Sequence, residues 1–212
     1  MARTRKKLPV VSSYVGLFFG GLACAREGDE WFHVCSSGTA AYRQRYDFVG
    51  SFSEGLAQVC KGGEWFHIRP DGTPAYKQRY NFVDSFSKGL AYVCKDDKWF
   101  HIRHNGTAAY RQRYDFVGPF SEGLARVCKG GEWFHIRPDG TPAYKQRYNN
   151  IGSFSEGLAY VCKDDKWFHI RHNGTAAYRQ RYDNVGSFYK GLAFARKDGK
   201  IFRIRPNGTK AD

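Results

Sequence analysis

The chain repeats itself every 34 residues, and this period constrains its fold more than any other feature. The phenylalanine that opens each repeat stands at Phe18, Phe52, Phe86, Phe120, Phe154 and Phe188. Residues 52–85 differ from residues 120–153 at only four positions. A period of this length is typical of solenoids and propellers, in which each unit buries its apolar face against its neighbours. We therefore predict a single repeat domain over residues 1–212, with the units 18–51, 52–85, 86–119, 120–153, 154–187 and 188–212.

Each repeat contains two β-rich runs, which in the third repeat are residues 89–94 and 99–103. The polar residues 95–98 between them predict a β-hairpin. Asn105-Gly106 follows the second run, and alternate repeats carry Asp-Gly at this place. Both residues of such a pair tolerate positive φ, so we predict a second tight turn here.

The remainder of the repeat predicts further β-structure. Residues 109–114 of the third repeat predict a third strand, and residues 116–118 predict a short fourth strand or a link. No segment with a helical period and helix caps occurs in the sequence. The fold class is therefore all-β, and six copies of such a unit favour a propeller or an open solenoid.

The two ends of the sequence complement each other in the repeat frame. The sixth unit has 25 of the 34 positions, and residues 9–17 match the nine positions that it lacks. An open array exposes strand edges that invite aggregation, whereas a closed ring has no such edges. We therefore predict a six-bladed β-propeller in which an N-terminal strand, residues 9–17, completes the last blade. An open β-solenoid is the alternative.

A histidine occupies the same position in five repeats, and the sixth repeat has Arg203 there. The five are His33, His67, His101, His135 and His169. The ligands of one metal ion must lie within about 2 Å of it, and equivalent positions of different repeats are too far apart for that. We therefore predict hydrogen-bonded structural histidines, no metal site and no cofactor.

Four of the six cysteines share one repeat position, at Cys60, Cys94, Cys128 and Cys162. Positions one repeat apart are too distant for a disulfide, so we predict free thiols and a reducing compartment, the cytoplasm. Export is the alternative, because residues 1–25 combine a basic start with an apolar stretch, as secretory signals do. No run of about 20 apolar residues is present, so no membrane span is predicted.

Two basic residues stand two positions apart in the predicted third strand of five repeats. The pairs are Arg43 and Arg45, Lys77 and Arg79, Arg111 and Arg113, Lys145 and Arg147, and Arg179 and Arg181. Residues two apart in a strand lie on one side of it, so the pairs predict a basic band. This band is interpreted either as a track for phosphates, aided by stacking on nearby tyrosines, or as a solvated edge that prevents strand pairing.

Most of the net charge of +14 lies near the two ends of the chain. Residues 1–17 carry +4 and residues 188–212 carry +5. The basic residues of these ends include Arg3, Arg5, Lys6, Lys7, Arg196, Lys197, Lys200, Arg203 and Arg205. If the partner is anionic, we expect it to contact this sector.

The repeat follows the pattern F-x-x-G-L-A-x-V-x-x-x-x-x-W-x-x-I-x-x-x-G-T-x-x-Y. This pattern resembles the WG (KWG) β-repeat family of bacterial proteins over essentially the whole chain. The Trp-Gly pair of that family is here Trp-Phe, as at Trp65-Phe66, so the packing at this place must differ. The resemblance implies an interaction module and supplies neither a ligand nor a catalytic residue.

The repeated acids and histidines are copies of one another, whereas an active site needs convergent groups that differ in their tuning. We therefore predict that the protein is not an enzyme. The leading interpretation is a non-enzymatic binding or scaffold protein that contacts a protein or a small polar ligand. The alternatives are nucleic-acid binding through the basic pairs and a repeat assembly without a specific ligand.

Overall fold

The computed structural model describes residues 13–211. These residues form six separate antiparallel sheets of three strands each, which confirms the all-β class. The strands are β1 (Tyr14–Val15), β2 (Leu22–Glu27), β3 (Glu30–Cys35), β4 (Phe48–Val49), β5 (Ala57–Lys61), β6 (Glu64–Ile68), β7 (Phe82–Val83), β8 (Ala91–Lys95), β9 (Lys98–Ile102), β10 (Phe116–Ser121), β11 (Leu124–Lys129), β12 (Glu132–Ile136), β13 (Asn150–Ile151), β14 (Ala159–Lys163), β15 (Lys166–Ile170), β16 (Asn184–Val185), β17 (Ala193–Lys197) and β18 (Lys200–Ile204). Each sheet takes three strands that follow one another in the chain, beginning with β1-β2-β3.

The described residues divide into two compact units. One unit contains residues 13–97 and 101–108, and the other contains residues 98–100 and 109–211. Each has its own core of alternate strand residues, as the two-residue period of a strand requires. Val59 and Ile68 are fully buried in the first unit, and Val127 and Ile136 in the second. None of the described residues forms a helix long and apolar enough to cross a membrane.

Two tight turns shape each sheet. The predicted hairpin is confirmed between β8 and β9, where Asp96 and Asp97 have φ values of 51° and 57°. Positive φ at both turn residues is the geometry that matches the twist of a hairpin. Glu54 and Gly55 form a second turn of this kind, with φ values of 50° and 80°, which the sequence reading missed.

The Asn-Gly turn has a different geometry from the one predicted. Only Gly106 of the pair has positive φ, at 78°, and its N–H donates to the carbonyl of Arg103 at 2.8 Å. The side-chain oxygen of Asn105 accepts from the N–H and the hydroxyl of Thr107, at 3.0 and 2.7 Å. This is a type I turn followed by a left-handed glycine, so the prediction of positive φ at Asn105 is wrong.

The predicted third strand is also wrong. In the fourth repeat the corresponding residues 143–148 form a loop that is bridged to β12 at both ends, by Pro142 opposite Ile136 and by Tyr148 opposite Trp133. A strand would direct successive carbonyls to opposite sides. Here three successive carbonyls converge on one arginine side chain, which curves the segment away from the sheet.

The link between repeats is a strand, and it pairs with the hairpin that follows it. Phe116 lies opposite Cys128, so each sheet straddles the boundary between two repeats. Tyr14 and Val15 pair in the same way with Arg26 and Ala25 of the first sheet. The prediction that residues 9–17 complete the last blade is therefore wrong for Tyr14 and Val15. Residues 9–12 lie outside the described part of the chain.

Candidate functional site

Four of the buried histidines connect the loop of their own repeat to the link that leads to the next repeat. The Nδ1 atom of His135 accepts from the hydroxyl of Tyr144 at 2.6 Å, and its Nε2 donates to the carbonyl of Gly152 at 2.9 Å. Because a carbonyl only accepts, the proton resides on Nε2. The same arrangement recurs at His33, His67 and His169. The prediction of hydrogen-bonded structural histidines is confirmed at these four positions.

Burial keeps these imidazoles neutral. It lowers the pKa of His33, His67, His135 and His169 to about 4, and the backbone carbonyl beside each ring opposes the effect only in part. Their burial also raises the pKa of the partner tyrosines well above the ordinary value. At neutral pH each pair is therefore an uncharged, fully hydrogen-bonded link.

The second basic residue of each pair supports the loop from within. The guanidinium of Arg147 donates to the carbonyls of Tyr144, Lys145 and Gln146 at 2.9 to 3.2 Å. It also lies over the ring of Phe134, 3.9 Å from its centroid, which is a cation–π contact. We call this set the inner arginines: Arg45, Arg79, Arg113, Arg147 and Arg181, which lie 3.7 to 4.0 Å from the ring centroids of Phe32, Phe66, Phe100, Phe134 and Phe168.

This contact explains the Trp-Phe pair. The ring of Phe134 lies between the inner arginine of its own repeat and Tyr114 of the preceding repeat, whose ring centroid is 6.0 Å away. A glycine here would leave the guanidinium without its aromatic partner. The phenylalanine and the inner arginine therefore act as one structural unit.

The first basic residue of each pair points to solvent. We call these five the outer basic residues: Arg43, Lys77, Arg111, Lys145 and Arg179. All five are exposed, and within residues 13–211 none of their side chains forms a hydrogen bond or an ion pair, although their backbone carbonyls accept from the inner arginines. The prediction that both members of a pair lie on one side of a strand is therefore wrong, because the loop separates them.

The basic residues of the sixth repeat have mixed surroundings. Arg205 donates to the carbonyl of Lys210 at 2.6 Å, which is the loop-closing bond that Arg137 makes to Pro142. Arg196 and Arg203 are exposed. Lys197 and Lys200 are exposed as well, and the other basic residues of the predicted end sector, Arg3, Arg5, Lys6 and Lys7, lie outside the described part of the chain.

Each unit has a shallow groove beside one of its loops, and in the first unit an outer basic residue, Lys77, lines it. In the first unit it has a volume of about 510 Å³, and Lys77, Gln78, His104 and Asn105 line it. In the second unit the equivalent groove has a volume of about 640 Å³ and is lined by Arg171, Ala177, Pro206 and Asn207. Each groove lies between the loop of one repeat and the Asx-Gly turn of the next.

Beside each groove an exposed histidine contacts both a phenylalanine and a glutamate, and the sequence analysis did not predict this contact. His104 stacks on Phe86 with ring centroids 4.3 Å apart, and its Nε2 lies 3.3 Å from a carboxylate oxygen of Glu54. His172, Phe154 and Glu122 repeat the arrangement in the second unit. Two features of the sequence could have indicated this contact. Alternate repeats carry a histidine just before the Asn-Gly pair, and the repeat before each of these carries a glutamate just after its Phe-Ser pair.

In the described part of the chain the cysteines and acids form no metal-binding cluster. All six cysteines are free thiols, and burial raises the pKa of Cys60, Cys94, Cys128 and Cys162. Within the described residues no three His, Cys, Asp or Glu side chains are placed to hold a metal ion.

Comparison with known proteins identifies the repeat and the type of fold. The family model of WG-containing repeats matches residues 45–65, 68–99, 113–133, 136–167 and 181–200. No curated protein matches the sequence.

Among solved structures, Hsv2 of Kluyveromyces marxianus is 10% identical with a TM-score of 0.52, over 91% of this chain and 71% of that one. Hsv2 of Kluyveromyces lactis is 8% identical with a TM-score of 0.50, over 89% and 71%. A structure of YCF48 bound to D1 peptide is 10% identical with a TM-score of 0.42, over 88% and 76%. The Hsv2 likeness indicates a propeller-like arrangement of sheets. The matched repeats span more than half of the sequence, and the chain therefore belongs to the WG-repeat family.

Proposed function

We propose that this protein is a non-enzymatic binding module that recognises an acidic segment of another protein through the outer basic residues and the groove beside Lys77. The observation that carries the proposal is that the two basic residues of each loop have different surroundings. One forms hydrogen bonds and a cation–π contact within the fold, and the side chain of the other is exposed without a partner among the described residues. A charge of this kind, repeated on a rigid loop, is suited to attracting an anionic partner.

The state of the histidines supports a role without catalysis. A general base needs a free ring nitrogen within reach of a substrate. Both nitrogens of His33, His67, His135 and His169 are engaged by neighbouring groups. The four rings are also buried.

An acidic protein segment fits this surface better than a nucleic acid does. Proteins that bind single strands stack the bases on exposed aromatic rings. The tyrosines that flank the outer basic residue, such as Tyr144 and Tyr148, are only 7% and 6% exposed. The surface therefore offers charge without a stacking platform.

The experiment is a fluorescence-anisotropy titration of the full chain with a labelled poly-glutamate peptide and with single- and double-stranded oligonucleotides. We expect the peptide to bind at low salt and to retain measurable binding at physiological salt. Preference for oligonucleotides with a steep salt dependence would favour the nucleic-acid alternative. Binding to none of the probes would contradict the proposal and leave a repeat assembly without an anionic ligand.

Two further expectations remain proposals. We place the protein in the cytoplasm, and the free thiols support a reducing compartment. The closed six-bladed ring also remains a prediction, which the likeness to Hsv2 supports at the level of the fold.

A further inference from the structure

The groove beside Lys77 is lined mainly by side chains that donate hydrogen bonds. The basic and amide side chains in its wall are those of Arg69, Lys77, Gln78, His104 and Asn105. Within the described residues, no aspartate or glutamate lines it. A guanidinium and an ammonium group only donate, and an amide adds two donors to its one oxygen. This set of groups is suited to an anion with several oxygen atoms.

Asn105 directs its amide NH2 group away from its own turn. Its Oδ1 atom accepts from the N–H and the hydroxyl of Thr107, at 3.0 and 2.7 Å. A backbone N–H only donates, so the amide oxygen must be the atom that faces it. The NH2 group forms no hydrogen bond within residues 13–211, and the side chain is exposed. It is therefore available to an acceptor in the groove.

The turn itself does not require an amide at this position. Asp71 occupies it in the preceding repeat, where one carboxylate oxygen accepts from the N–H and the hydroxyl of Thr73 at 2.9 and 2.6 Å. The turn uses a single side-chain oxygen in both repeats. The second group is NH2 in Asn105 and a carboxylate oxygen in Asp71. The choice of residue therefore decides whether this place offers a donor or a negative charge.

The two cations of the groove differ in their freedom of movement. Arg69 donates to the carbonyls of Pro74 and Ala75 at 2.6 and 2.9 Å, which holds its guanidinium in place. The side chain of Lys77 is exposed and has no partner among the described residues. A fixed charge reduces the ordering cost of binding, and a mobile ammonium can follow the position of a ligand.

His104 forms a wall of the groove that is held from two sides. Its ring stacks on Phe86, and its Nε2 atom lies 3.3 Å from Oε2 of Glu54. The same oxygen of Glu54 accepts from the N–H of Gly89 at 2.9 Å, so the fold already engages this carboxylate. The wall is thus in position before any ligand binds, which again reduces the ordering cost.

The second unit contains the same set of side chains two repeats later. Arg137 is held by two carbonyls at 2.6 and 2.9 Å, and Lys145 is exposed. Asn173 accepts from the threonine of its turn at 3.0 and 2.7 Å, and His172 lies 3.3 Å from a glutamate oxygen. The 640 Å³ groove of this unit, by contrast, has Glu156 in its wall and is less suited to an anion.

We propose that each of these two sets binds a phosphorylated serine or threonine side chain, which rests on the function proposed above and narrows its acidic segment to a phosphorylated one. A phosphate monoester carries a charge of about −1.5 to −2 and three acceptor oxygens. A glutamate side chain carries one charge and two oxygens. The guanidinium, the ammonium and the amide NH2 group together supply a donor for each phosphate oxygen.

A phosphorylated peptide fits this place better than a phosphorylated lipid does. Proteins that lie on a membrane bury exposed apolar side chains in the boundary between headgroups and acyl chains. None of the large exposed apolar residues in the described part of the chain lines the groove beside Lys77. The groove therefore offers contacts to a phosphate without an apolar anchor for a membrane.

The test is fluorescence anisotropy of the full chain at physiological salt with a labelled poly-glutamate peptide whose central residue is glutamate or phosphoserine. We expect phosphoserine to bind roughly tenfold more tightly or better, because it adds charge-assisted hydrogen bonds. Equal binding of the two peptides would overturn this inference and leave the proposed function intact. Binding of neither would overturn both. Tighter binding to phosphatidylcholine vesicles that contain a phosphatidylinositol phosphate would overturn the assignment to a peptide.

A pair of matched variants tests the position of the site. N105D/N173D should fold as the parent does, because Asp71 forms the same turn bonds, and it should lose most of the preference for phosphoserine over glutamate. The control N81D/N149D adds the same two charges beside the hairpins, where each asparagine oxygen accepts from a turn N–H at 2.9 and 3.1 Å. Other repeats carry aspartate there as well. The control should keep the preference.

A second variant keeps the test decisive if N105D/N173D does not fold. K77Q/K145Q changes only exposed side chains and should also lose most of the preference for phosphoserine. Urea unfolding of each variant shows whether it is folded. A preference that survives in folded N105D/N173D or in K77Q/K145Q, or one that falls equally in the control N81D/N149D, would overturn the proposal.

Discussion

The two basic residues of each loop have the same charge and stand two positions apart, yet the fold uses them in opposite ways. Arg147 lies on Phe134 and holds three carbonyls, whereas Lys145 extends into solvent. The difference arises from the loop, which turns one side chain toward the aromatic core and the other away from it. A repeated charge in a sequence is therefore not by itself a binding surface, because half of this basic band is structural.

The largest expected effect is the loss of the buried framework in acid. The pKa of the buried histidines is about 4 in the folded protein and near 6.5 when the chain is unfolded, so the unfolded state binds more protons between these values. Stability should be full above pH 6.5 and fall until about pH 4, on the order of 3 kcal/mol for each histidine. Urea unfolding followed by tryptophan fluorescence from pH 7 to pH 4 checks this. A flat profile would show that the histidines are not buried and neutral.

Replacing Phe134 by glycine, the residue typical of the family, should have the next largest effect. It removes a ring that is 5% exposed and leaves the guanidinium of Arg147 without its partner. We expect a loss of about 3–5 kcal/mol in the free energy of unfolding. Phe134→Leu is the control, because it retains most of the apolar volume without the aromatic face. A negligible loss for Phe134→Leu beside a large loss for Phe134→Gly would show that apolar volume alone matters and that the contact with the guanidinium contributes nothing.

Arg147→Ala should destabilise the protein by about 1–3 kcal/mol, since three carbonyls lose their donor and the cation–π contact is lost. Arg147→Lys should recover little of this, because an ammonium group lacks the planar fork that reaches several acceptors. Chemical denaturation of the two variants measures the difference. Full recovery by lysine would mean that charge, and not geometry, supports the loop.

Lys145→Ala should have the smallest effect on stability, within about 0.5 kcal/mol, because an exposed side chain without a partner contributes little. The same denaturation experiment, run beside Arg147→Ala, provides the comparison. A loss as large as that of Arg147→Ala would erase the distinction between inner and outer positions.

Much of the fold could be predicted from the sequence. The loop that replaces the predicted third strand could not be, and the reason is physical. The 34-residue period, the hairpin at residues 95–98 and the structural histidines follow from local patterns. The loop at residues 143–148 does not, because its alternating charged and aromatic residues have the period of a strand. Its curvature comes from Arg147 and Phe134, which are 13 positions apart and meet only after the hairpin has formed.

The candidate site could be predicted only in part, because some of its contacts also join residues that are distant in the sequence. The basic pairs could be singled out because charge is visible in a sequence, but the structural inner arginines could not be told apart from the exposed outer residues. The pairing of His104 with Glu54 joins positions 50 residues apart, and the period alone does not reveal it. Contacts between repeats depend on how each loop is turned, which only the folded chain shows.

Binding through the outer basic residues is tested most directly by two variants that lose the same number of positive charges, one in the loops and one in the hairpins. One replaces the outer basic residues Lys77, Arg111, Lys145 and Arg179 by glutamine, and the other replaces the hairpin residues Lys61, Lys95, Lys129 and Lys163. Binding of the labelled poly-glutamate peptide to both is measured by anisotropy at physiological salt. We expect the first variant to lose binding and the second to retain most of it. Equal losses would contradict this expectation, because the peptide would then respond to net charge and not to the loops.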